Sequence, residues 1–307
     1  MEDIKKRGAG NSPHSPIFFA FLFPAVFAFV MVIVIPFFMG LYYSFTDWNA
    51  ITGIDVTWVG LRNYAAIFRD PVFLHSFLVT AVYAAINIVI VNIVAFSLAL
   101  LVTNKLKMVG LYRATFFLPN MIGGLILGYI WQFIFNNAIV KFGATIGSQF
   151  LSTSFLTNRY LAVLAIVLVG TWQYAGYIMM IYVAAIQGIP ASLIESAKID
   201  GANYGHTLRH IMIPLAAPAF TVSLFLTLVN SFKQFDVNFA LTQGGPSGMF
   251  MGRALNTNEF LALHIYQTAF AFRQLAQGQA KAIVFFVVLA SIAMFQVYYN
   301  KRKEIEM

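Results

Sequence analysis

Long apolar runs separated by short polar interruptions make up the chain. The runs extend from Ile17 to about Tyr43, then approximately Ser76–Val102, Ala114–Phe135, Leu161–Ala185, Leu215–Phe232 and Ala282–Tyr299. Each is near the ~20 residues that a helix needs to cross a bilayer core. Backbone in lipid must satisfy its own hydrogen bonds, which leaves helices or closed barrels. Runs of this length without alternation are helical. The pattern predicts an all-α polytopic membrane protein with six transmembrane helices over residues 16–300. Polar tails are expected at 1–15 and 301–307. The first run follows a basic start, as a secretory signal does. It far exceeds the roughly 7–15 residues of a signal core, so it is expected to be retained, with kinks at Pro24 and Pro36.

The polar interruptions differ in character. Thr46–Phe73 reads as a solvated loop with interfacial aromatics. A short basic loop starts at Lys105, and Asn136–Tyr160 is polar with few charges. The connection at 235–280 carries Gly244-Gly245-Pro246, a tight turn, and an aromatic second half of helical character. Lysine and arginine density sets orientation. Placing the termini inside collects Lys5, Lys6, Arg7, Lys105, Lys107, Arg113, Lys198, Arg209, Lys301, Arg302 and Lys303 on that side, in short segments. Only Arg62, Arg69, Lys141, Arg159, Arg253 and Arg273 fall clearly outside. Both termini, and the 190–214 segment, are therefore expected to be cytoplasmic, and the 235–280 loop extracellular.

Composition agrees. The 307 residues are 60% hydrophobic and 10% charged, against about 45–50% and about 25% in soluble domains. The net charge of +8 is spread over loops, which points away from nucleic acid. The absence of cysteine removes disulfide, thiolate-metal and thiol-nucleophile chemistry.

One stretch breaks the pattern. Pro190–Pro214 is polar and helix-like between two apolar runs. Pro190 suits a first helical turn, Asp200-Gly201 is a stop signal, and Asn203 is a cap for a second short helix. Tyr204, Leu208 and Ile211 would form one apolar stripe. Two short helices with an elbow at Gly201 follow. Small Ala197 and Ala202 would keep that elbow thin enough to enter a groove, and Pro214 would start the fifth span. Read from the residues alone, the segment is equally an interfacial anchor, with Glu195 and Lys198 paired at i, i+3.

The residues E-S-A-K-I-D-G-A at 195–202, followed by Leu208, Ile211 and Pro214, resemble the "EAA" loop of bacterial ABC-importer permeases of the carbohydrate, maltose-type family. Ser196 replaces the usual alanine, Leu208 a common phenylalanine, and Ile213 a common leucine. The motifs Y-Y-S-F-T-D-W at 42–48, V-G-L-R-N-Y at 59–64, L-Y-R-A-T-F-F-L-P-N at 111–120, I-W-Q-F-I-F-N at 130–136 and F-D-V-N-F-A-L-T-Q-G-G-P at 235–246 are similar to that family too. The first two favour its F-type partner. The resemblance implies a type I importer permease fold with a cytoplasmic two-helix coupling loop, in a bacterial inner membrane. It implies a paralogous second permease, an ATPase dimer and an extracellular solute-binding protein as partners, with membrane lipid around them. Glu195, Ser196, Ala197, Asp200, Gly201, Ala202 and Pro214 would form the ATPase-coupling element, with Glu195 in contact, Gly201 as the elbow and Asp200 fixing the turn. No cofactor is expected on this chain; ATP and Mg would sit on the partner ATPase. The sequence carries no G-x-x-x-x-G-K-[ST] phosphate loop.

Polar residues inside spans are costly and mark pathways. Asn120, Trp172, Gln173, Tyr174, Asn230, Lys233 and Gln234 are the candidates for a sugar path, with Lys233–Asp236 as an alternative ion pair. Asn87 and Asn92 read instead as interhelical hydrogen-bonding residues. His206 and His210 have i, i+4 spacing without a carboxylate, so no metal site is expected. A secondary transporter or channel without an ATPase remains the alternative; it would show repeats or mid-span ionisable residues.

Overall fold

The computed structural model describes residues 16–49, 56–104 and 107–302. The tail at 1–15, most of that at 301–307 and Lys105 lie outside the described residues. Among those described, five helices are long and apolar enough to cross a membrane: α1 (Phe18–Tyr43), α3 (Pro71–Thr103), α5 (Gly124–Thr145), α6 (Arg159–Gly188) and α12 (Leu275–Lys301). Two further helices, α8 (Tyr204–Leu215) and α9 (Ala217–Phe232), meet at a 68° bend and are long and apolar enough only together, which makes six crossings when the bent pair is taken as one span. The shorter helices are α2 (Arg62–Ile67), α4 (Val109–Phe117), α7 (Ala191–Ile199), α10 (Asp236–Thr242) and α11 (Leu261–Tyr266). Strands β1 (Ser247–Phe250) and β2 (Arg253–Asn256) form an antiparallel hairpin within the 235–280 loop, an element the apolar pattern does not announce.

The spans expected first, second, fourth and sixth appear near their sequence bounds. The third does not. Pro119 sits in a 3₁₀ turn, Leu118–Met121, that separates α4 from α5. Proline has no N–H to donate and obstructs the preceding turn. The crossing therefore starts at Gly124 and runs on to Thr145, through residues expected to be loop. In α1, Pro36 follows a π-helical turn, Val30–Val34, so the chain absorbs the proline without breaking. Pro214 does not start the fifth span but lies inside α8; the bend falls at Ala216, with Pro218 just beyond it at the start of α9. The sixteen residues of α9 span about 24 Å at 1.5 Å per residue, short of the ~30 Å hydrocarbon core.

Cα packing divides the chain into two compact units, Met1–Ala65 with Thr268–Ile283, and Ala66–Gln267 with Val284–Met307. In the larger unit α3 and α6 form the centre. Val91, Ala95 and Ala99 pack on Ile178, Met179 and Tyr182, small residues letting the two backbones approach. A buried polar ladder ties in α9. The Asn92 amide donates to Thr227 Oγ1 (3.1 Å), the Tyr182 hydroxyl donates to Asn92 Oδ1 (2.7 Å), and Ser223 Oγ donates to Tyr182 (2.6 Å). Asn87 donates to Ser231 (2.8 Å). Both asparagines thus make the interhelical bonds expected of them. On the other side of the unit, Gly124 and Gly128 of α5 lie against α10. A Cβ on Gly128 would stand 2.5 Å from that of Ala240, and one on Gly124 2.6 Å from that of Asp236.

In the smaller unit the S-F-T-D-W and G-L-R-N-Y motifs meet. The Asn63 amide donates to the carbonyls of Ser44 and Thr46, both at 2.8 Å, and the Ser44 and Tyr64 hydroxyls are 2.6 Å apart. The Ala276 N–H of α12 donates to the Trp48 carbonyl (2.9 Å).

Candidate functional site

The 190–214 segment is built by its caps. Pro190 does not enter the first turn as expected; it sits just before α7, in extended geometry with ψ 127°, because the turn out of α6 occupies it. At the far end the Ala202 N–H donates to the Ala197 carbonyl (2.9 Å) and the Gly201 N–H to the Lys198 carbonyl (3.1 Å). These two bonds define a Schellman stop, which requires a left-handed residue. Gly201 supplies it at φ +82°. The turn is therefore held by backbone and glycine. The Asp200 side chain is exposed and takes no part, contrary to the role expected for it. Asn203 caps α8 as expected, its Oδ1 accepting the His206 N–H at 2.8 Å.

Burial sorts the faces. Ala197 is buried at 9% exposure; its small size serves packing against this chain rather than a thin elbow. Thr207 and Met212 on α8, and Ala216 at the bend after it, are buried, whereas Tyr204 is 58% exposed. The expected Tyr204–Leu208–Ile211 stripe is displaced because Leu208–Met212 is a π-helical turn, which adds a residue and rotates the face. Glu195 and Ser196 are exposed. Glu195 makes no ion pair with Lys198 or with any other described residue. One turn further along the same face, Ile199 is 86% exposed. Leu193, Ile199 and Tyr204 are large apolar side chains left uncovered around Glu195; the sequence shows them only as part of a polar stretch, because their exposure depends on which faces the rest of the chain covers. His206 and His210 stack with ring centroids 4.1 Å apart, and no group of three metal-ligating residues occurs among the described residues.

The path candidates separate into two kinds. Trp172 is 45% exposed and meets Trp131 edge-on at 5.7 Å; Asn230 is exposed, and Asn120 and Tyr174 are half-buried. Gln173 instead donates to the Ile122 carbonyl (3.0 Å), holding the break between α4 and α5. Gln234 reaches the Tyr83 hydroxyl at 3.5 Å, where both stand over Gly170. Lys233 forms no ion pair with Asp236. It borders an apolar groove of about 730 Å³ with Phe225, Val229, Phe285 and Phe286.

Residues 95–305 match the family model described as binding-protein-dependent transport system inner membrane component. A probable starch degradation products transport system permease protein of Thermoanaerobacterium thermosulfurigenes is 44% identical over 290 residues, covering 94% of this chain and 96% of that one. A multiple sugar-binding transport system permease protein of Streptococcus mutans is 30% identical, covering 88% and 90%. Among solved structures, a bacterial ABC transporter involved in the import of the acidic polysaccharide alginate aligns with TM-score 0.79 at 20% identity, over 93% of this chain and 95% of that one. At that identity the match speaks for the fold, which is that of a type I importer permease.

Proposed function

Because the chain belongs to the family of binding-protein-dependent transport system inner membrane components, and is thus a non-catalytic permease subunit, we propose that it forms half of a carbohydrate pathway and is driven through its 190–214 segment. The observation that carries this is Ile199, 86% exposed beside a Glu195 that pairs with no other described residue, on a helix with a fixed stop. An apolar side chain so exposed, next to a carboxylate, fits a groove on a partner better than it fits solvent. The partner is an ATPase dimer carrying ATP and Mg, and Glu195, Ser196, Gly201 and Ala202 present the contact. Ala197 and Pro214 hold it from within, and Asp200 lies at its rim.

The termini and the 190–214 segment lie in the cytoplasm of a bacterial cell, by the lysine and arginine count. A paralogous second permease completes the pathway, and a solute-binding protein delivers the sugar from outside. Trp172 and Asn230, with Asn120 and Tyr174, line the path: polar groups left open on spans face a partner or a channel. Gln173 and Gln234 support that wall, and Lys233 belongs to the neighbouring groove. The names of the relatives, one for starch degradation products and one for multiple sugars, support a carbohydrate, and fragments of starch are the first to try.

The test is uptake of radiolabelled maltotriose into proteoliposomes holding both permeases, the ATPase and the binding protein. Glu195→Lys and Gly201→Asp are each expected to abolish ATP-driven uptake while the chain still inserts. Normal uptake in both variants would remove the coupling role. Uptake driven by an ion gradient without an ATPase would overturn the importer reading.

A further inference from the structure

Two further motifs meet in the smaller unit, S-F-T-D-W at Ser44–Trp48 and G-L-R-N-Y at Gly60–Tyr64. With the first turns of α12 they enclose a cavity of about 200 Å³, whose wall includes Asp47, Trp48, Asn49, Arg62, Gln274 and Gln277. The frame of that wall is fixed. Asn63 donates both amide protons to the Ser44 and Thr46 carbonyls. The Trp48 carbonyl accepts from Ala276, and its indole packs on Tyr43 with centroids 4.5 Å apart. Asp47 accepts the Thr57 N–H (2.7 Å) and hydroxyl (2.6 Å). The remaining groups are uncommitted: the Arg62 guanidinium and the Gln274 and Gln277 amides bond to no described residue.

We infer that this cavity binds one pyranose ring of a sugar chain, with Trp48 offering a ring face and Arg62, Gln274 and Gln277 bonding to the hydroxyls. Size limits the occupant. Pockets for drug-sized ligands hold roughly 300–1,000 Å³, so this one admits a single ring. Charge limits it further. The Thr57 hydroxyl bond, then the Thr57 N–H bond, hold the Asp47 carboxyl below its usual range, so it stays ionised and offsets Arg62. A neutral polyol suits that balance better than a phosphate or a carboxylate. Hydroxyls both donate and accept, and the wall supplies acceptor oxygens and donor amides together. The site rests on the carbohydrate reading and adds to it a subsite separate from the membrane path.

The experiment is saturation-transfer NMR of maltotriose on the intact importer in nanodiscs without its binding protein. Transfer is expected, and Gln277→Ala or Arg62→Ala should weaken binding roughly fivefold to tenfold, the cost of one hydrogen bond. Neither side chain hydrogen-bonds to another described residue, so both variants are expected to keep the fold, which the thermal midpoint of each checks. Trp48→Phe should retain binding and Trp48→Ala lose it. Absence of transfer, or affinity unchanged in both the Gln277 and Arg62 variants, overturns the inference. Binding-protein-dependent maltotriose uptake, measured alongside, reports separately on the proposed function, which stands if uptake is intact.

Discussion

At position 201 a side chain has room, since a Cβ there meets nothing within 4 Å, but the backbone sits at φ +82°. The expected cost of Gly201→Ala is therefore about 1 kcal/mol of strain with no clash, seen as faster hydrogen exchange at the Gly201 and Ala202 amides. This position was legible from Asp200-Gly201 alone, because a helix stop is local chemistry. The exposure of Ile199 was not, because it depends on which face the rest of the chain covers. Tyr182 shows how modest membrane hydrogen bonds are. Tyr182→Phe removes donor and acceptor from the Asn92–Ser223 ladder and should cost roughly 0.6–2 kcal/mol in denaturant unfolding. Asp47, outside the membrane-spanning segments, carries a pH dependence. Its folded value is depressed by Thr57, with Arg62 adding to the effect. Its bonds should be fully present above the ordinary aspartate value, ~3.9. They should be lost only as pH falls through the lower folded one. The Asp47 carboxyl shift in an NMR titration checks this; a midpoint above 4.5 or so would contradict it.

At the scale of elements, apolar run length found the straight crossings and misplaced the interrupted ones. The α4–α5 break and the α8–α9 bend arise at Pro119 and beside Pro218. Run-length counting passes over both, since alanine, leucine and phenylalanine continue on either side. The π turns at 30–34 and 208–212 shift faces by a residue, which a 3.6-residue period cannot register. Gly124 and Gly128 of α5 lie against α10 rather than against another span, a contact that depends on the fold of the 235–280 connection. Gly128→Leu should overpack against Ala240 and cost about 1–3 kcal/mol, lowering the thermal midpoint in detergent. Gly110→Ala, at a glycine with open space around it, is the matched control and should leave that midpoint in place.

At the scale of the whole molecule, the chain leaves much apolar surface for other components. No residue in the most apolar stretch of α1 is buried, and a long groove lies open between α9 and α12. Lipid and a second permease are the covers proposed for them. The 190–214 segment is the corresponding open surface proposed for the ATPase, and the proposed function depends on it. The natural absence of cysteine makes a direct test simple. In the reconstituted importer, Glu195→Cys should cross-link to a cysteine placed in the ATPase groove, and the yield should change when ATP is added. Thr207→Cys, at a buried position, should not cross-link. No cross-link from position 195 in a complex that still transports would contradict the coupling role.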